Sequence, residues 1–115
     1  MTVLTLQLSN GSLSLPLNLA AGLELKSVLQ QLLQQLRQAA TPLSPGQRPT
    51  PQPSTDHRLE VGEIHLEVFC NPNLWPSPFA AKVLLSLRQG ELRLSLETEL
   101  SRLMEDLDQY LESIR

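Results

Sequence analysis

The sequence predicts an α+β domain spanning residues 1–115. It is a two-layer unit, with a mainly antiparallel five-stranded sheet, two helices on one face, and the order ββα-βββα. Three observations predict it. Two stretches alternate leucine with polar residues around a turn signal, and two others repeat apolar residues at helical spacing. A run with five of the nine prolines divides the chain between them. Each strand then offers one apolar face and each helix one stripe, which two packed layers bury.

The first element is TVLTLQLSNGSLSLPLNL. Leu4, Leu6 and Leu8 alternate with Thr5 and Gln7, and Leu13, Leu15, Leu17 and Leu19 with Ser14 and Asn18. Asn10-Gly11 between them is a strong hairpin signal, because a type I′ turn needs φ > 0 at both central residues. That turn sets Leu8 opposite Leu13, Leu6 opposite Leu15 and Leu4 opposite Leu17. It also sets Pro16 opposite Thr5 in a hydrogen-bonded pair, where proline has no N–H to give. The ladder is expected to open there unless the loop is longer.

LELKSVLQQLLQQLRQAA follows, with Leu25, Val28, Leu29, Leu32, Leu33 and Leu36 on one side and glutamines on the other. This is an amphipathic helix, roughly Leu23 to Ala39. Residues 41–57, TPLSPGQRPTPQPSTDH, hold five prolines and almost nothing apolar, so they read as a flexible linker. A polyproline ligand for a partner is the functional alternative.

RLEVGEIHLEVF reads as one strand whose phase changes, with apolar Leu59 and Val61 before Gly62 and apolar Ile64, Leu66 and Val68 after it. A one-residue shift flips every side chain, so a bulge is expected at Gly62. FCNPNLWPSPF then holds the single Cys, the single Trp and both Phe. Its prolines make it a stiff connection. A second hairpin follows, with Gln89-Gly90 as its turn. Leu87 then faces Leu92, Leu85 faces Leu94 and Val83 faces Leu96, while Arg88 meets Glu91 and Lys82 meets Glu97. The chain closes on a helix striped by Leu100, Leu103, Leu107, Leu111 and Ile114, joined by Met104 and Tyr110, with Thr98 as its expected N-cap.

The opening hairpin and helix, about residues 2–39, resemble the start of a β-grasp domain. The sulfur-carrier and modifier members of that family work through a C-terminal Gly-Gly; this sequence ends Glu-Ser-Ile-Arg, which does not support that activity. The run LEVGEIHLEVFCNPNLWPSPFAAKVLL resembles small conserved cyanobacterial proteins of unknown function. That resemblance implies accessory or assembly work around photosynthetic or carbon-fixing machinery, as by a carboxysome-type assembly chaperone.

Composition narrows the function classes. The formal net charge is −3, with +1 on residues 1–57 (three basic, two acidic) and −4 on residues 58–115 (six basic, ten acidic). The basic residues are scattered and outnumbered, so nucleic acid is not the expected partner. No apolar run is long enough for a membrane span. A lone Cys and the lack of a secretory pattern fit a cytoplasmic protein.

The best polar constellation is Glu63, His65 and Glu67, at alternate positions of the expected bulged strand. At about 3.3 Å per residue the two carboxylates stand roughly 13 Å apart, so one metal ion could not comfortably take all three. They are expected to be a solvated face. The alternative function, a small-molecule- or metal-binding domain or minor enzyme, would use them. Cys70 has no base in reach, and there is no P-loop, G-x-G-x-x-G or Cys-x-x-Cys. No enzyme, cofactor or metal is therefore expected.

What remains is a non-catalytic module that binds a protein partner, through Leu74, Trp75 and Phe79 on the proline-stiffened loop. Trp75 itself is expected to cap the core edge, with the partner contact as its alternative, because large aromatics are mostly buried. The acidic last helix could dock a basic partner, and its leucine stripe could pair with a second copy as a homodimer.

Overall fold

A computed structural model describes residues 3–40, 46 and 51–114. The chain is α+β, with antiparallel sheets and two helices. There are six strands in two sheets among the described residues, not five in one. β1 (Val3–Leu8) and β2 (Gly11–Pro16) form a two-stranded sheet and lead into α1 (Leu19–Ala40). β3 (Thr55–Val61), β4 (Ile64–Cys70), β5 (Lys82–Gln89) and β6 (Leu92–Glu99) follow as one four-stranded sheet in chain order. α2 (Leu100–Ser113) closes the chain.

The extra strand comes from Gly62. RLEVGEIHLEVF is a hairpin, not one bulged strand, with Val61 paired to Ile64 and Leu59 to Leu66 across a Gly62-Glu63 loop. A two-residue loop pairs odd positions with even ones. The phase change therefore leaves Leu59, Val61, Leu66 and Val68 all on one buried face. Most of the expected linker, 41–57, lies outside the described residues, as does most of any polyproline ligand within it. Its end does not: Thr55, Asp56 and His57 are the first residues of β3.

Both predicted hairpins form, each shifted in register by two residues. In the first, Leu4 pairs with Leu15 and Leu6 with Leu13 around Ser9-Asn10. Pro16 thereby moves to the hairpin's end, opposite Val3, and the expected conflict with Thr5 disappears. In the second, Leu85 pairs with Leu96 and Leu87 with Leu94 around Gly90-Glu91. Gly62 and Gly90 both take φ +60°, and no other residue type has positive φ among the described residues. Glycine at the first loop position followed by a residue of negative φ marks type II′, in which Gly-X replaces the X-Gly of type I′. A slip of two leaves every side chain on its expected face, because the strand period is two. The charge pairs do change. Arg88 faces Arg93 instead of Glu91, while Lys82 still reaches Glu97 on the diagonal at 3.7 Å.

α1 begins at Leu19, four residues before the expected Leu23. Asn18 starts it: its Oδ1 accepts from Ala21 N–H at 2.8 Å, and its carbonyl from Gly22 N–H at 2.9 Å. α2 lacks the Thr98 cap the sequence suggests. Thr98 is a buried β6 residue, Glu99 is the N-cap, and the Glu99 side chain makes no capping bond. The first α2 amide is satisfied elsewhere, Leu100 N–H donating to Ala81 O at 3.0 Å.

One core joins both sheets and both helices. Leu4, Leu6, Leu15 and Leu17 from the first hairpin meet Leu25, Leu29, Leu32 and Leu36 of α1 and Leu100, Leu103, Leu107 and Leu111 of α2. The inner face of the larger sheet adds Leu59, Leu66, Val68, Val83 and Leu85. α1 packs against β3 and α2, and α2 packs against β1, α1 and the end of β6. Each leucine taken fully from water contributes about 1.5–3 kcal/mol. Leucine stripes rather than aromatics therefore hold this fold.

Candidate interaction surface

The connection from β4 to β5 carries the residues singled out by sequence. Both strands are antiparallel neighbours, so it links adjacent strands and crosses nothing. Asn71 opens it by capping a 3₁₀ turn (Pro72–Leu74), its Oδ1 accepting from Asn73 N–H at 3.1 Å, with Pro72 at a position where a missing N–H costs nothing. The Asn73 amide then holds the chain ahead of β3. Its Oδ1 accepts from Gln52 N–H at 2.8 Å and its Nδ2 donates to Gln52 O at 2.7 Å. Next, Ser77-Pro78-Phe79-Ala80 forms a tight turn, Ala80 N–H donating to Ser77 O at 3.2 Å, with proline where a fixed φ is favoured.

That scaffold separates the three expected contact residues. Trp75 is half-buried against the core, near the Cys70 thiol. Leu74 is 71% exposed and Phe79 is 87% exposed. Burial pushes the Cys70 thiol above its ordinary value, and the Trp75 hydrogen bond only partly opposes this. A buried, protonated thiol is a poor nucleophile.

Phe79 stands at one end of a groove of about 850 Å³ between α1 and α2. Leu33, Leu100, Met104 and Pro78 supply its apolar lining, Glu105, Asp108 and Glu112 stand along its α2 side, and Arg37 lies at the α1 side. The helix period explains the arrangement. Leu103, Leu107 and Leu111 turn inward into the core, Leu100 is buried at the floor of the groove, and Met104, Glu105, Asp108 and Glu112 share the neighbouring face. Asp108 also pairs with Lys26 of α1 at 3.2 Å, which pins the two helices together.

Glu63, His65 and Glu67 do not share one strand face as the single bulged strand would have placed them. Glu63 sits in the β3–β4 turn, because Gly62 begins a hairpin loop. His65 Nδ1 lies 3.2 Å from Glu60 across the hairpin, and Glu67 lies 3.7 Å from Arg58. Among the described residues no three His, Cys, Asp or Glu side chains are placed to hold a metal ion. His57, expected in the linker, lies on β3 and meets Glu24 of α1 at 3.2 Å.

No protein-family model, curated protein or solved structure matches this chain. No described helix is long and apolar enough to cross a membrane.

The groove itself was not legible in the sequence. Leu33 and Met104 each sit one position off the main stripe of their helix, beside Leu32 and Leu103. A stripe wider than the core needs is the available signal, but only the crossing of two helices turns two such margins into one groove.

Proposed function

We propose that this chain is a non-catalytic protein-interaction module, of the accessory-subunit, adaptor or assembly-chaperone kind. Its partner presents a basic amphipathic helix, which lies in the groove between α1 and α2. The carrying observation is Phe79. A large aromatic side chain 87% exposed on a hydrogen-bonded turn, at the mouth of an apolar groove, favours a contact with another molecule over a role in the core.

Charge selects the kind of helix. Glu105, Asp108 and Glu112 fall at i, i+3 and i+7 on one side of the groove, so lysines or arginines flanking the partner's apolar face would meet them. The turn that carries Phe79 is fixed by Pro78 and the Ser77–Ala80 bond, so little entropy is lost on docking. A non-catalytic role also agrees with the buried Cys70 and with carboxylates already engaged in cross-strand pairs.

The test is fluorescence anisotropy with two labelled amphipathic helices, one of leucine and lysine and one of leucine and glutamate. The lysine peptide should bind and the glutamate peptide should not. Phe79→Ser and Glu105→Lys/Glu112→Lys should each weaken binding by about tenfold or more, as hot-spot losses do. Equal binding of both peptides, or no effect of Phe79→Ser, would sink the reading.

A further inference from the structure

The geometry points to a second association surface, independent of the groove: the outer edge of β6, which pairs antiparallel with β6 of a second copy of this chain. The two four-stranded sheets would then run on as one sheet of eight.

Burial first marks the edge. Leu59, Leu66, Leu87 and Leu94 form one row across the inner face of the sheet. Leu59 and Leu66 are buried, Leu87 is half-buried, Leu94 is 41% exposed, and Leu92 beyond it is 68% exposed. The opposite edge shows no such fade, since α1 packs on β3 and Leu59 and Val61 are buried. Sheet edges are normally guarded by proline, charged side chains, bulges or covering elements, and of these β6 carries only charges, Arg93, Glu97 and Glu99. β2 ends in Pro16, β1 gives its Gln7 N–H to Asp106, and β3 has α1 beside it. β6 has eight residues in unbroken register, contains no proline, and has no strand on its outer side among the described residues.

Main-chain geometry fixes which groups face out. The Gly90-Glu91 loop closes on a hydrogen-bonded Gln89–Leu92 pair, and such pairs recur at every second residue. The N–H and C=O groups of Arg93, Ser95 and Glu97 therefore point away from β5. The bond from Leu100 N to Ala81 O continues the same series. Outward groups must oppose outward groups, so the candidate registers pair odd positions with odd.

Charge then chooses among them. Arg93 faces Arg88 within its own sheet, an unfavourable like-charge pair, and no carboxylate lies within salt-bridge distance of it among the described residues. With the two-fold axis at Ser95, Arg93 of each copy meets Glu97 of the other on the outer face. Leu94 meets Leu96 on the inner face, and about six main-chain hydrogen bonds close the seam. The partner's Glu91 falls opposite Glu99, a like-charge pair at the end of the seam, beside a gap of about 530 Å³ lined by Lys82 and Arg102 as well as Glu97, Glu99 and Glu105. A strand bearing Arg93 and Glu97 symmetrically about Ser95 is complementary to itself only when antiparallel.

Sedimentation equilibrium of the full chain over a concentration series tests this. Wild type should reach twice the chain mass. Arg93→Glu, which improves the intramolecular contact with Arg88, should stay folded by circular dichroism and raise the dimer dissociation constant by about tenfold or more. Glu97→Arg, which also gives up the Lys82 contact within its own sheet, should raise that constant too, and Arg93→Glu/Glu97→Arg should restore dimerisation, because the swapped charges again complement each other. Ser95→Pro, which removes an outward N–H at the axis, should be monomeric. A wild type that is monomeric throughout overturns the proposal, and so does a dimer that Arg93→Glu leaves unchanged or that the double swap fails to restore.

Discussion

The main-chain N–H of Gln7, in the first strand, donates to Oδ2 of Asp106, in the last helix, at 2.9 Å. Gln7 forms a pair with Ser12 that the two-residue Ser9-Asn10 loop leaves non-hydrogen-bonded, so its N–H points out of the small sheet. One turn further along α2, the Tyr110 hydroxyl donates to the carbonyl of Leu17. The two-stranded sheet has too few strands to be stable alone. These bonds, with the leucines around them, make it part of the same body as the larger sheet.

Removing that acceptor should therefore cost more than its charge suggests. Asp106 is 8% exposed, and Asp106→Ala would leave the Gln7 N–H without its partner. We expect a loss of about 1–3 kcal/mol, measured by urea unfolding. Asp106→Asn keeps an acceptor oxygen and should recover most of it. Equal losses in the two variants would mean that the carboxylate charge, not the hydrogen bond, is what matters.

Gly22 of α1 lies against Leu111 and Tyr110 of α2. A Cβ there would stand 3.0 Å from Leu111 Cδ2 and 3.3 Å from Tyr110 Cε1. The crowding atoms are side-chain ends, and alanine gains about 1 kcal/mol of helix propensity over glycine. Gly22→Ala should accordingly change stability by less than about 1 kcal/mol. Gly22→Val adds two methyl groups with nowhere to go and should lose about 1–3 kcal/mol. Thermal unfolding of both, compared at one pH, checks the contrast; a destabilised alanine variant would show that Leu111 and Tyr110 cannot yield.

These two contacts also show where sequence reasoning stops. Helices α1 and α2 were legible because Leu25, Leu29, Leu32 and Leu36, and Leu100, Leu103, Leu107 and Leu111, repeat at a period that only a helix satisfies. Strand faces were legible for the same reason at period two. Registers were not, because a slip of two residues preserves every face, and glycine position within a turn is the only local cue. Gly62 looked like a bulge because one strand with a phase change and two strands with a two-residue loop have the same hydrophobic pattern. Asn18 was hidden by the leucine alternation that runs through it. Pairings such as Gln7 with Asp106 depend on how separate elements meet, and no local pattern encodes them. On the candidate site, the loop prolines marked a connection built of turns, but which of Leu74, Trp75 and Phe79 turns inward depends on how the 3₁₀ turn (Pro72–Leu74) and the Ser77–Ala80 turn set the chain against the core.

Cys70 gives stability a pH dependence of known sign. Burial raises its folded pKa, with the Trp75 hydrogen bond working against the shift. The folded chain thus holds the thiol proton more tightly than the unfolded chain, whose thiol titrates near pH ~8.5. Stability from this group is complete below that pH and is lost as pH rises through the raised value. Unfolding free energy should fall more steeply above about pH 8.5 in wild type than in Cys70→Ala, which cancels shared tyrosine and lysine effects. Parallel profiles would remove Cys70 as the cause. At pH 8 the native thiol should also react slowly with a disulfide reagent and quickly after denaturation.

Trp75 and Phe79 should separate fold from docking. Trp75 packs on the core, so Trp75→Ala opens a cavity there. A loss of about 3 kcal/mol or somewhat less is expected, because the ring is only half-buried. Phe79→Ser removes a side chain that is 87% exposed and should change stability by no more than about 0.5 kcal/mol. Denaturant unfolding of both variants reads the first effect, and peptide anisotropy reads the second. If Phe79→Ser unfolds the chain while Trp75→Ala does not, Phe79 belongs to the core in solution and the groove closes. If both are stable and only Trp75→Ala weakens peptide binding, the contact surface lies on the other side of the loop. The expected pattern is the remaining one: a destabilised Trp75→Ala, and a stable Phe79→Ser that no longer holds the lysine peptide.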